Sequence, residues 1–188
     1  GGIWGGRGME GNPNKPTESA KGLKAAGNIS ISGGTIDVNS ADDAVHANNS
    51  LTVDGGSLLL TSGDDGMHAD KTLTVNNGDI NIIQAYEGVE SAAITVNSGT
   101  IRVIASDDGF NAAGGNDGSA VNGRPGQNPF AETGDYKLTI TGGTIYVDAQ
   151  GDGLDANGPI EMSGGTVIVN GPTANNNGAL DYTGSFNI

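Results

Sequence analysis

A short signature returns about every 22 residues along this chain, and that period restricts the possible folds more than any other feature. The copies read SAKGLKA (19–25), ADDAVHA (41–47), GDDGMHA (63–69), AYEGVES (85–91), SDDGFNA (106–112) and QGDGLDA (150–156). Their central apolar residues, Leu23, Val45, Met67, Val89, Phe110 and Leu154, lie at steps of 22, 22, 22, 21 and 44. The last step reads as two periods with an insertion inside it. A fixed period in this range marks a solenoid, in which each repeat buries its apolar face only by stacking on its neighbours.

The rest of each repeat specifies strands. After each signature comes an alternating run (NISIS, SLTVD, TLTVN, AITVN, KLTIT, PIEMS), then a turn holding Gly34, Gly56, Gly78, Gly99, Gly143 or Gly165, then a second run such as GTIDV or GTIRV. Alternation of β-branched residues between Gly, Asn and Ser is a strand pattern, and no segment sustains a helical period. Counting the signature, each period holds three short strands and three turns. The expected fold is all-β: a right-handed, three-sided parallel β-helix of six to seven coils, with the handedness following from the general preference of parallel crossovers. Ile29 and Ile31, Leu51 and Val53, Leu73 and Val75, Ile94 and Val96, and Leu138 and Ile140 should point inward as aliphatic stacks. One domain is expected over 1–188, with 1–18 as an N-terminal cap segment, Trp4 closing the open end of the stack, and 114–135 as an inserted loop.

The 34 glycines and 4% aromatic content fit ordered turns rather than disorder, because the glycines keep the period. A net charge of −14 argues against nucleic acid or an anionic membrane as partner. There is no cysteine and no apolar run approaching a membrane span. The start at Gly1-Gly2-Ile3-Trp4 has no signal peptide, and an export signal or anchor is expected to have preceded it. A monomer is expected.

Stacking converts the signature into columns along one edge of the rod. The first reads Ala20, Asp42, Asp64, Tyr86, Asp107, Gly151; the second reads Lys21, Asp43, Asp65, Glu87, Asp108, Asp152. The third reads Lys24, His46, His68, Glu90, Asn111, Asp155 and continues at Asp181. Carboxylates one coil apart repel by about 1 kcal/mol per pair in water and about 3 to 4 at an effective dielectric near 20, so the ladder requires cations or protons. Calcium suits it, taking roughly six to eight oxygen ligands in a tolerant geometry. Magnesium prefers a tighter, wetter octahedron, and zinc would have only His46 and His68 to use, without a thiol. An Asp in a coil turn can also serve only to satisfy backbone groups. His46 and His68 remain open between exposed turn residues and ligand or sugar-contacting groups.

The run Asp107-Asp108-Gly109-Phe110-Asn111, with Asp64-Asp65-Gly66-Met67-His68 and Asp152-Gly153-Leu154-Asp155, resembles the calcium motif of family-nine pectate lyases. The whole chain is similar to a bacterial family of calcium-binding parallel β-helix carbohydrate-binding domains related to those lyases. The resemblance implies attachment to plant cell-wall polysaccharide, cellulose or polygalacturonate, outside the cell or at its surface. It implies Ca2+ as cofactor, held by Asp42, Asp43, Asp64, Asp65, Glu87, Glu90, Asp107, Asp108, Asp152 and Asp155. His46, His68 and Asn111 depart from the lyase pattern at the third position.

Lyase chemistry would need a base beside the calcium-bound uronate. Lys21 and Lys24 are the candidates, although as the ends of the acidic columns they equally suit ion pairs with the next coil. Catalysis is therefore the alternative to binding. Sugar rings stack on aromatic faces and take polar contacts, which points to Tyr86, Tyr146, Arg102, Arg124, His46 and His68, with Arg124 and Phe130 in the inserted loop. Tyr146 and Arg102 share an outward column with Asp37, Leu59, Asn81 and Ile168. A further outward column, Ser30, Thr52, Thr74, Thr95 and Thr139, leaves an ice-binding or adhesin-like solenoid as lesser alternatives.

Overall fold

The computed structural model describes residues 19–113, 135–173 and 175–188. The expected cap segment, with Trp4, lies outside these residues, as do Arg124, Phe130 and nearly all of the insertion. The described chain is all-β. Its strands are β1 (Leu23–Ala25), β2 (Ile29–Ile31), β3 (Thr35–Ser40), β4 (Val45–Ala47), β5 (Ser50–Val53), β6 (Ser57–Ser62), β7 (Met67–Val75), β8 (Asp79–Ala85) and β9 (Val89–Val96). They continue with β10 (Thr100–Ala105), β11 (Phe110–Ala112), β12 (Lys137–Ile140), β13 (Thr144–Ala149), β14 (Leu154–Ala156), β15 (Ile160–Met162), β16 (Thr166–Asn170), β17 (Leu180–Tyr182) and β18 (Phe186–Asn187).

All pairings are parallel, and they form the three faces of a β-solenoid. One face runs β1-β4-β7-β9-β11-β14-β17, and a second runs β2-β5-β7-β9-β12-β15-β18. The third runs β3-β6-β8-β10-β13-β16. β7 and β9 pass from the first face to the second without a separate turn, so in those coils two of the three expected strands are one. The 21-residue step originates at this corner. Ala69 pairs with Ser91 and Thr72 with Ala93, so β9 rounds the corner with one residue fewer than β7.

The 44-residue step is one coil rather than two. Phe110 pairs directly with Leu154, and Leu138 sits on Ile94. β11 and β12, which flank the insertion, both pair with β9 and so belong to the same coil. Inserting residues at a corner costs the stack nothing as long as the strands on either side still meet their neighbours.

The core consists of columns of like residues one coil apart. Leu51, Leu73, Ile94, Leu138 and Ile160 form one stack, and Leu58, Ile80, Ile101 and Ile145 another, all essentially inaccessible. Each fully buried aliphatic side chain contributes about 1.5–3 kcal/mol relative to exposure. Coils at the two ends are less covered: Ile36 and Val38 at one end, and Val167 and Val169 at the other, are only partly buried. Outside, asparagines link successive corners, with Asn76 Nδ2 donating to Asp54 Oδ1 at 2.7 Å and Asn97 Nδ2 to Asn76 Oδ1 at 2.8 Å.

Two glycine columns permit close stacking. At the corner before the third face, Gly99 has φ +91° and a Cβ there would stand 2.6 Å from the Gly78 carbonyl oxygen. Within the signature, a Cβ on Gly109 would stand 2.6 Å from the Gly153 oxygen and would also collide with Val147. The glycine after the paired acids therefore lets neighbouring coils approach where the acidic edge is built. Among the described residues, no helix is long and apolar enough to cross a membrane.

Candidate metal and carbohydrate site

The third signature column is a continuous parallel register. Lys24 pairs with His46, His46 with His68, His68 with Glu90, Glu90 with Asn111, Asn111 with Asp155, and Asp155 with Asp181. The tight turns before these strands carry the other two columns. Second-column acids use one oxygen for the fold: the backbone N–H of Asp65 donates to Asp43 Oδ1 at 3.2 Å, and that of Asp152 to Asp108 Oδ1 at 2.6 Å. The backbone N–H of Gly178 donates likewise to Asp152. Each such Asp is thus a turn residue and still presents a second oxygen.

The ladder divides into two halves by what faces those oxygens. In the early coils the protein supplies its own cations. Lys21 Nζ, its side chain fully buried, pairs with Asp43 Oδ2 and lies 3.3 Å from Asp42 Oδ2. His46 Nδ1 is 2.7 Å from Asp43 Oδ2, and its Nε2 is 3.0 Å from Asn48 Oδ1. His68 is enclosed by carboxylates: Nδ1 lies 2.7 Å from Glu90 Oε2 and 3.1 Å from Asp65 Oδ2, and Nε2 lies 3.2 Å from Asp70 Oδ1. The two imidazoles stack with centroids 4.6 Å apart and planes 7° off parallel.

Titration behaviour follows from these contacts. Burial alone would push Asp43 up, yet the hydrogen bond with His46 and the charges of His68 and Lys21 hold its carboxyl at about 2. Burial opposes a charged His68, but the Glu90 charge and the bonds to Asp65, Asp70 and Glu90 prevail and push its imidazole well above the usual histidine range. Asp65 is raised, by burial first and then by the charges of Glu90 and Asp43.

The later coils hold acids with no such compensation. Among the described residues, no Lys, Arg or His pairs with Glu87, Asp107, Asp108, Asp152, Asp155 or Asp181. Burial, with neighbouring carboxylates, pushes Asp108 up to about 8 and Asp155 up to about 6, and raises Asp152 and Glu87. Asp108, Asp152 and Asp155 each bring a carboxylate oxygen within 4.8 Å of the others. Asn111, only 5% exposed, donates from Nδ2 to Glu87 Oε2 at 2.9 Å, while its Oδ1 is buried without a hydrogen-bond partner. A buried carbonyl oxygen left unpaired can accept from a water or ligate a cation. This all-oxygen donor set fits a calcium ion.

The remaining candidates are placed as follows. His46 and His68 are 2% and 0% exposed, which corrects both the exposed-turn and the sugar-contact expectation, since no surface is left for a sugar ring. Tyr86 is half-buried against Asp107. Burial and that hydrogen bond push its hydroxyl up, so it acts as a donor within the ladder rather than as a flat platform. Lys24 is exposed and donates to Ser19 Oγ at 3.1 Å. Arg102 and Tyr146 are adjacent on the outward column of the third face, with the guanidinium 5.4 Å from the ring centroid and 3.1 Å from Asp79 Oδ1. Leu59 and Ile168 on the same column, and Ile104 beside it, are also exposed. The outer hydroxyl column keeps one residue per coil and ends at Glu161.

No curated protein and no solved structure matches this chain. Residues 5–66, which include the first two signatures and most of the third, match a protein-family model described as "Carbohydrate-binding domain-containing protein". Over that stretch the chain is similar to carbohydrate-binding proteins.

Proposed function

We propose that this domain binds an acidic plant cell-wall polysaccharide, polygalacturonate, through calcium held on the later half of the acidic edge, outside the bacterial cell. The observation that carries the reading is the set of uncompensated oxygens from Asp108, Asp152 and Asp155, with Asn111, whose buried Oδ1 has no partner, in register beside Asp155. Glu87 stands in the second column with Asp108 and Asp152, and Asp107 in the first. Bound calcium supplies neutralisation of the acids and coordination positions that a uronate carboxylate can share. Without it, a chain of net charge −14 repels an anionic polymer. The match of residues 5–66 to the carbohydrate-binding model supports the same ligand class.

The outward strip of the third face adjoins this edge and offers the aromatic and cationic groups that sugars use. Tyr146 is 39% exposed, with Arg102 beside it. We expect Tyr146→Ala to weaken polygalacturonate binding by roughly tenfold, equivalent to about 1.4 kcal/mol. Its melting temperature should fall by no more than a few degrees, because the ring is exposed and its contact with the Arg102 guanidinium is worth about 0.5–1 kcal/mol. Unaltered affinity would remove the strip from the contact surface.

The direct test is a calorimetric titration of polygalacturonate into the domain, first with calcium and then with EDTA, while following ultraviolet absorbance for unsaturated product. Binding that requires calcium with flat absorbance is the expected result. Rising absorbance would make the protein a lyase and direct attention to Lys21 and Lys24. Retention on cellulose in EDTA, without polygalacturonate binding, would overturn the acidic-polymer reading in favour of a neutral chain lying on the Tyr146 strip.

A further inference from the structure

We infer a second metal site of different chemistry in the early coils: His46 and His68, with Asp43, Asp65 and Glu90, are arranged to bind a borderline-soft divalent transition ion, zinc above all. The inference stands independently of carbohydrate binding.

The two rings stack in register, and each turns its Nδ1 toward carboxylate oxygens, His46 to Asp43 and His68 to Asp65 and Glu90. A ring nitrogen of His46, a ring nitrogen of His68 and an Asp43 oxygen all lie within 4.8 Å of one another, as do a ring nitrogen of His68 and oxygens of Asp65 and Glu90. Two imidazole nitrogens with one or two carboxylates are donor types that suit zinc and not calcium, and because the rings lie parallel, 4.6 Å apart, they must tilt toward each other to share one ion.

The outer nitrogens are prepared as well. A metal-bound imidazole donates its far N–H to an acceptor that fixes its tautomer and orientation. Here both far nitrogens face such an acceptor two residues along the strand, Asn48 Oδ1 at 3.0 Å for His46 and Asp70 Oδ1 at 3.2 Å for His68. The repetition of this arrangement in successive coils matters more than either bond.

Protons alone satisfy the inner side poorly. One N–H at His68 Nδ1 must serve two carboxylates, at 2.7 and 3.1 Å. Next to this group, Asp42 Oδ1 is buried with no hydrogen-bond partner. A divalent ion at the Nδ1 side would engage both acids at once. It would displace one proton from each ring that carries one there, and those protons would leave to solvent.

The test uses the calcium-saturated domain with zinc by calorimetry and with cobalt by visible absorption. Because the chain has only two histidines, their ring NMR signals report the site without any substitution. One equivalent of zinc should bind in the presence of excess calcium, both histidine signals should shift together, and cobalt should give the intense visible bands of a tetrahedral centre. His46→Gln and His68→Gln should each weaken zinc binding by more than the roughly 10- to 100-fold that loss of an outer-shell partner costs, and Asp70→Asn by an amount within that range. Histidine signals that stay still on zinc addition, or zinc binding that excess calcium abolishes, would overturn the inference even if the variants fail to fold.

Discussion

Freed of calcium, the domain should lose thermal stability steadily as pH rises from about 4 to about 8, and saturating calcium should flatten that dependence. Asp108 is pushed up to about 8 and Asp155 to about 6, against an ordinary value near 3.8. A carboxyl raised in the folded state binds a proton there that the unfolded chain has already released. The folded state then holds more protons than the unfolded one, so stability is greatest below about 4 and is lost as pH rises through the folded values. Asp108 alone gives a slope of roughly 1.4 kcal/mol per pH unit at its steepest. His68 acts in the same direction, because its raised imidazole contributes stability that is lost as pH climbs through its folded value. Asp43, held at about 2, contributes stability that is lost only on acidification below this window.

If calcium occupies the acidic edge as proposed, it should remove the slope, because it would take the place of the protons. With the ion bound, Asp108, Asp152 and Asp155 are ionised in both states and the linkage to pH disappears. Stabilisation by a ligand at a hundred times its dissociation constant is about 2.7 kcal/mol. Differential scanning calorimetry across pH, with EDTA and with excess calcium, checks both halves. Identical curves in the two series would remove calcium from the acidic edge.

The order of the stack was legible because a solenoid is nearly one-dimensional. Once the period is known, residues one coil apart must be neighbours, so the column from Lys24 to Asp181 and the strip from Asp37 to Ile168 could be written down from spacing alone. The 44-residue step misled for the same reason: arithmetic allows two coils, and only the pairing of Phe110 with Leu154 shows one.

What spacing cannot convey is how far a corner closes over its own side chains. His46 and His68 occupy strand positions that alternation directs outward, yet both are buried, each bonded to a neighbouring Asp three residues before it. Asn111 stands out in the sequence only as a departure from the acids of the third column, and the implied ligand set leaves it out. Its place between Glu90 and Asp155 was the available signal, since an amide there can donate to one carboxylate and still offer an oxygen to a cation. Likewise Lys21 ends the second column by charge, but that its side chain is wholly buried against two acids required the packing of the first corner.

Replacing that buried lysine should strongly destabilise the early coils. Lys21→Met keeps the length and apolar stem but removes the ammonium from buried Asp42 and Asp43, leaving only the His46 and His68 contacts to compensate Asp43. Breaking a buried pair by removing one partner costs about 3–5 kcal/mol, and for a chain of this size that corresponds to a fall of roughly 10 °C or more in melting temperature. The loss should be largest near pH 7 and shrink at pH 3, where carboxyls can take up protons instead. Adding Asp42→Asn and Asp43→Asn to the same variant should recover much of it, since the uncompensated charge is then gone, whereas the same two changes with Lys21 retained should destabilise by stranding the ammonium. A Lys21→Met protein that melts within about 2 °C of the parent at pH 7 would mean that the acids have already neutralised themselves with protons. In that case the early half of the ladder would be held by the same means as the calcium-free later half, and its division into compensated and uncompensated acids would fail.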